Sequence, residues 1–243
     1  VADGIYVALS GAIAQSTNLE ATAANLANAS TDGYQRVRPV FREELARAGS
    51  REPGSHYALL DGTRLDTTRG GLRPTGSPLD FAMPEGTYLA VSTPRGERYT
   101  RAASLSVGID GALRTAHGDA VLAEDGKPIK VTGNASAVRI DNSGQLWSGT
   151  EASARVRLVT FAQPQSLTHD EGPLLSAPPA AGAPTASRGP LEIGQIEESN
   201  ANVVGAMTDL VSATRTFEAF QRVIDAFRDA DRKVATTVPG TSP

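Results

Sequence analysis

The chain has 243 residues, enough for one or two packed domains, and contains no cysteine, which removes disulfides, thiolate catalysis and cysteine-based zinc sites together. Its 27 acidic and 23 basic residues leave a net charge of −4, without the basic face that nucleic-acid binding demands. A hydrophobic fraction of 40% with 24 glycines and 15 prolines predicts many turns, and no apolar run approaches the ~20 residues needed to cross a bilayer.

From Gly4 to Asn28 the sequence reads as a helix. Ile5, Leu9, Ala12, Ser16, Leu19, Ala23 and Leu26 step by four and three, the spacing of a coiled-coil seam. The only charge here is Glu20; the outer positions carry Ser10, Gln15, Thr17, Asn18, Thr22 and Asn25, where a solvent-facing helix normally carries charge. Such a helix is covered either by the rest of its own chain or by neighbouring molecules. The second reading is favoured, because the only similar helix lies at the far end of the sequence. The stretch has neither the basic start nor the continuous apolar core of a secretory signal, so export by a cleaved address is not expected. Asn28-Ala29-Ser30-Thr31-Asp32-Gly33-Tyr34 stops the helix, with Gly33 suited to a positive φ.

Residues 35–70 are highly charged (Arg36, Arg38, Arg42, Glu43, Glu44, Arg47) and broken by Pro39, Pro53 and Gly54. They predict an extended connector with one short helix around Phe41–Ala48, ordering on contact with a partner. From Gly71 to Phe161 short strands alternate with turn signals. Tyr88-Leu89-Ala90-Val91 runs into Pro94-Arg95-Gly96, and Leu105, Val107 and Ile109 lead to a hairpin turn at Asp110-Gly111. Further strands are expected at Val121-Leu122, Ile129 to Val131, Val138 to Ile140, Leu146-Trp147 and, last, Arg155 to Phe161. Turns at this interval predict a small antiparallel barrel or sandwich. Residues 176–190 are rich in Ala and Pro and read as a linker that does not pack.

After Leu191 to Asn200 comes a second long helix, Asn202 to Val234, about 50 Å long at 1.5 Å per residue. Ala206, Leu210, Ala213, Phe217, Phe220, Ile224 and Phe227 form its seam, three of them Phe in a chain that is 5% aromatic. Glu218 with Arg222 and Asp229 with Lys233 are i,i+4 pairs of the kind a solvated helix face carries. The fold class is therefore α+β, with long N- and C-terminal coiled-coil helices flanking a small antiparallel β domain. The divisions are 1–34 (helix), 35–70 (connector), 71–175 (β domain), 176–190 (linker) and 191–243 (C-terminal helix and tail).

Signs of chemistry are sparse. His56, His117 and His169 each stand alone, without the spacing of a metal site, and no cofactor is expected. No phosphate loop, dinucleotide fingerprint or nucleophile elbow is present. Asp119 with Glu124 could form an acid–base couple, but carboxylates at β-turns are overwhelmingly turn formers. Trp147 with Tyr88 and Tyr99 could make a stacking platform, although strand or core pairing is the commoner use. The chain does not read as an enzyme.

Three stretches carry a resemblance. Ala8-Leu9-Ser10-Gly11-Ala12 with Asn25-Leu26-Ala27-Asn28-Ala29-Ser30-Thr31-Asp32-Gly33-Tyr34 is similar to the N-terminal signature of bacterial flagellar rod and hook proteins. Thr75-Gly76-Ser77-Pro78-Leu79-Asp80-Phe81-Ala82, then Tyr99-Thr100-Arg101 and Asp110-Gly111-Ala112-Leu113, resembles that family's β domain. Glu198-Ser199-Asn200, Val203-Val204, Met207-Thr208 and Arg215-Thr216-Phe217-Glu218 resemble its C-terminal signature. One small β domain without a second outer domain points to the basal-body rod proteins, the proximal branch first and the distal branch second. The resemblance implies passage through the flagellar export apparatus in unfolded form. It also implies polymerisation with copies of the chain and other rod proteins into a torque-transmitting shaft across the periplasm. The residues assigned to the assembly interface are Ile5, Leu9, Ala12, Leu19, Leu26, Ala206, Leu210, Ala213, Phe217, Phe220, Ile224 and Phe227. The alternative of another class is a secreted coiled-coil translocator or adhesin, although the N-terminal helix lacks the Lys/Arg face of a membrane-surface helix.

Overall fold

The structure, a computed structural model, describes residues 2–45, 56–131 and 137–237. Two helices and several antiparallel sheets make the chain α+β. Helix α1 is Ala2–Ala27 and helix α2 is Val203–Thr237, 26 and 35 residues long. The chain divides into two compact units: the described parts of residues 1–24, 37–63 and 204–243, and residues 25–36 with 64–203.

The second unit is built on a nine-stranded antiparallel sheet. Its main path runs Thr168–Glu171, Leu174–Ser176, Gly96–Thr100, Thr87–Thr93, Ala120–Val121, Leu113–Thr115, Leu105–Val107. Tyr88-Leu89-Ala90-Val91 is fully buried at its centre: strands pair along both of its edges, Leu89 and Val91 face the core, and Tyr88 lies against Phe161 on the opposite face. Phe81, Met83, Leu113, Val121, Leu146 and Leu191 pack with Leu89 and Val91 into one core. A second sheet, Val138–Ile140, Gln145–Ser148 and Glu151–Arg155, contributes Val138, Ile140 and Leu146. Trp147 belongs to this sheet. It is paired across to Arg139, whose guanidinium lies 5.3 Å from the indole ring, and its Nε1 donates to Asp141 at 2.9 Å. It is a strand-pairing residue.

Four expectations need correction. Residues 176–190 are not an unpacked linker: Ala181 is completely buried and Thr185–Ala186 pairs with Leu158–Thr160. Proline and alanine do not demand disorder when a neighbouring strand offers a backbone ladder and the small side chains leave room to approach. Phe41 to Leu45 belongs to a strand, Val37–Leu45, hydrogen-bonded to His56–Leu65, where a short helix was expected; the remainder of that expected helix lies outside the described residues. Arg155 to Phe161 is not one final strand. It divides at Val156 between Glu151–Arg155 and Leu158–Thr160, which belong to different sheets, and five further strands follow. Ile109, expected to continue the alternation of Leu105 and Val107, instead stands fully exposed at the tip of the turn closed by Gly111 N–H donating to Gly108 O at 2.9 Å.

Candidate assembly interface

Alanine-rich α1 pairs with α2 inside the first unit. The two run antiparallel: Gln15 Nε2 donates to Ala213 O at 3.3 Å, and the Phe220 ring lies over Gly11. A Cβ added at Gly11 would sit 2.5 Å from Phe220 Cε1, so the absence of a side chain there is what lets the ring come this close to the helix. Ala8, Ala12, Ala14 and Ala21 are buried on α1, as are Ala206 and Ala213 on α2.

Threonines of both helices bond back into their own helix. Thr22 donates to Asn18 O at 2.8 Å, Thr214 to Leu210 O at 2.8 Å and Thr208 to Val204 O at 3.0 Å. A threonine bonded back into its own helix presents chiefly its methyl group, which suits a face that something apolar covers.

The residues assigned to the interface from the sequence fall into distinct groups. Ala12, Ala206 and Ala213 are buried, whereas Leu19, Leu26, Leu210, Phe217, Phe220, Ile224 and Phe227 are half-buried. Leu9 is exposed, and the Ile5 side chain lies outside what the structure describes. The reason for Leu9 is geometric. Positions two apart are about 200° apart around a helix, so a helix that meets α2 at Gly11 turns Leu9 outward. The same step takes Ile13 away from Gln15, and Val204 and Val211 away from Ala206 and Ala213. Ile13, Val204, Met207 and Val211 are all more than half exposed, at 58%, 73%, 53% and 53%. Seam reasoning missed this second stripe. Its signal was present: Val204, Met207 and Val211 are themselves spaced by three and four, but a search for the most apolar face ranks them behind three phenylalanines. A continuous coiled-coil seam along both helices is not seen among the described residues.

The remaining candidate chemistry is dispersed. Thr93, Arg95, His117, Asp119, Glu171 and Leu174 line a cleft of about 360 Å³ at the tips of three hairpins. Burial pushes the Asp119 carboxyl above its ordinary pKa, and Arg95 is engaged by Glu171 at 2.7 Å and Asp170 at 3.2 Å. Glu124, the other half of the imagined acid–base couple, instead meets Arg188 at 3.3 Å. His169 is stacked on Tyr34, ring centroids 4.5 Å apart, with its two nitrogens 2.7 Å from Gln35 O and 3.1 Å from Gly172 O. Tyr88 and Tyr99 are buried against Phe161, and burial raises each hydroxyl to about 12. Among the described residues no group of three His, Asp or Glu is placed to hold a metal, and no helix is long and apolar enough to cross a membrane.

A helix-paired unit, and a β unit in which the described residues assemble no catalytic group, direct attention to relatives. Residues 5–35 match the family model described as flagella basal body rod protein, and residues 193–237 match that of the flagellar basal body rod FlgEFG protein C-terminal region. The flagellar basal-body rod protein FlgF of Escherichia coli is 33% identical, over 93% of this chain and 94% of that protein. The FlgF protein of Mesorhizobium japonicum is 30% identical, covering 89% of each chain. The chain belongs to the flagellar basal-body rod protein family. It is a structural protein of the basal-body rod. The rod protein FlgG of Agrobacterium fabrum is also similar, 28% identical over 90% of this chain and 93% of its own. The two family models cover α1 with its exit turn and α2 with the strand before it, so the matched signatures coincide with the helix-paired segments and their roots.

Proposed function

We propose that this rod-family chain polymerises through α1 and α2, with copies of itself and other rod proteins, into the proximal segment of the rod; the distal segment is the alternative placement. The shaft crosses the periplasm and transmits torque, and the chain's contribution is mechanical stiffness, with no catalysis. The FlgF proteins of Escherichia coli and Mesorhizobium japonicum, at 33% and 30% identity, exceed the 28% of the Agrobacterium fabrum FlgG protein, which supports the proximal placement. One observation carries the helical interface: Leu9, Ile13, Val204, Met207 and Val211 stay open to water on helices whose opposite faces already touch each other. Each such side chain contributes roughly 1.5–3 kcal/mol when a neighbour covers it. A repeated, non-reciprocal contact of this kind generates a helical tube. In transit the subunit passes through the flagellar export apparatus unfolded, a route that suits a chain with no cysteine to oxidise on the way.

The test is complementation of a strain lacking the gene. Met207→Asp with Val211→Asp should abolish swimming and remove the subunit from isolated basal bodies, while the purified variant keeps the wild-type circular dichroism. Normal incorporation of that variant would exclude the exposed α2 stripe from the interface. Imaging a tagged subunit along the shaft separates proximal from distal placement.

A further inference from the structure

We infer that residues 191–198 are the closing element of the β unit, which folds only when they dock, because they bring the one carboxylate among the described residues that is bonded to the buried Arg101. This concerns the folding of a single chain and stands apart from the polymerisation reading.

Arg101 and Glu197 are almost completely withdrawn from water, their side chains 1% and 3% exposed. Arg101 Nε donates to both carboxylate oxygens, at 2.9 and 3.0 Å, and Nη2 donates to Glu197 Oε2 as well. The remaining donors are taken by main-chain oxygens: Nη1 by Pro84 at 3.1 Å and Thr87 at 2.6 Å, Nη2 by Met83 at 3.2 Å. The Tyr88 ring lies 5.9 Å from the guanidinium carbon. Carbonyls and a ring orient a guanidinium, but they bring no net charge. The neutralising group comes from 96 positions later in the chain.

Glu197 reaches beyond Arg101. Its Oε1 accepts from Gly70 N–H at 3.2 Å, its Oε2 lies 3.9 Å from Arg69 Nε, and its main-chain oxygen accepts from Gly33 N–H at 2.7 Å. Both glycines are required by the crowding. A Cβ at Gly70 would lie 2.0 Å from Glu198 O, and one at Gly33 would lie 2.2 Å from Ala102 N. The neighbours of Glu197 close the core around it. Buried Leu191 donates its N–H to Asn142 O at 2.9 Å, Glu192–Ile193 pairs with Phe81–Ala82, and Gln195–Glu197 pairs with Leu72–Pro74.

Chain up to residue 190 therefore contains most of the strands and lacks a closed interior. It would leave a buried cation without its counter-charge, the Phe81–Ala82 backbone without its pair and the Leu191 site vacant. Leaving one member of a buried ion pair alone is strongly unfavourable. A domain so arranged stays open until its last strand arrives.

Refolding the full-length protein from denaturant tests this. Trp147, the only tryptophan, reports the second sheet, and a dye on Gln195→Cys, unique in a chain without cysteine, reports docking of the closing strand. The two signals should rise in one phase. Glu197→Gln should slow the Trp147 phase about tenfold or more, or prevent it. Arg101→Met with Glu197→Met, which removes both charges, should restore folding and let the Trp147 signal precede the dye. Wild-type Trp147 reaching its native signal before the dye docks would overturn the inference. So would a Glu197→Gln chain refolding at the wild-type rate, or a double variant as impaired as Glu197→Gln.

Discussion

Gly33 shows how much a single position can be asked to do. The turn after α1 needs a φ of +70° there, and the space a Cβ would take is already filled by the Ala102 backbone. Both demands fall on backbone atoms that cannot swing aside, so Gly33→Ala should cost at least about 1–3 kcal/mol, read as a lowered urea midpoint of Trp147 fluorescence. His169 makes a different kind of demand. Each ring nitrogen faces a carbonyl, yet a neutral imidazole has one N–H to give, and burial holds its pKa below the ordinary 6.5. The unfolded chain therefore takes up the proton first. This contribution to stability is whole above the unfolded pKa and is lost as pH falls through that value toward the lower folded one. Between about pH 7 and 5 the wild type should lose more thermal stability than His169→Gln, whose amide cannot titrate; parallel losses would mean that His169 contributes nothing to the acid response.

At the scale of elements, the two helices separate what holds one subunit together from what is left for the next. Phe220 lies on Gly11 inside the subunit, so Phe220→Ala should weaken the helix pair by roughly 1.5–3 kcal/mol and lower the helical circular dichroism of the monomer. Phe217→Asp or Phe220→Asp should likewise prevent incorporation into the rod while Trp147 still reports a folded β unit. Met207 and Val211, about half a turn from the paired face, should instead leave monomer helicity unchanged when replaced by Asp. Periodicity located both helices within a residue or two at their starts, because residues facing one direction must recur at the helical repeat. It could not set how far each helix rotates about its own axis. That rotation depends on which side has the small residues that admit the partner, here Gly11, Ala12 and Ala213, and it is why Leu9 points outward.

For the whole molecule, the two compact units should unfold separately. Apart from Ala206 and Ala213, the described side chains of α2 beyond Val203 are half-buried or exposed, whereas the β unit has a continuous core. Dilute monomer should therefore lose its helical signal at a lower denaturant concentration than its Trp147 signal, and helicity should become more resistant on assembly. Coincident transitions would show that the helices share the β unit's stability.

The α+β class, both helices, the tight turns at Gly33, Gly96 and Gly111, and the family were legible in the residues, because these rest on local spacing, on glycine's access to positive φ, and on signatures read in order. The tertiary structure alone decided that residues 176–190 pack, that the strand expected last is followed by five more, and that Arg101 meets Glu197. Those outcomes depend on partners remote in the chain. A strand of two or three residues has too little pattern of its own to be read until the strand beside it supplies hydrogen bonds, and a charged side chain declares itself structural only when the fold closes over it.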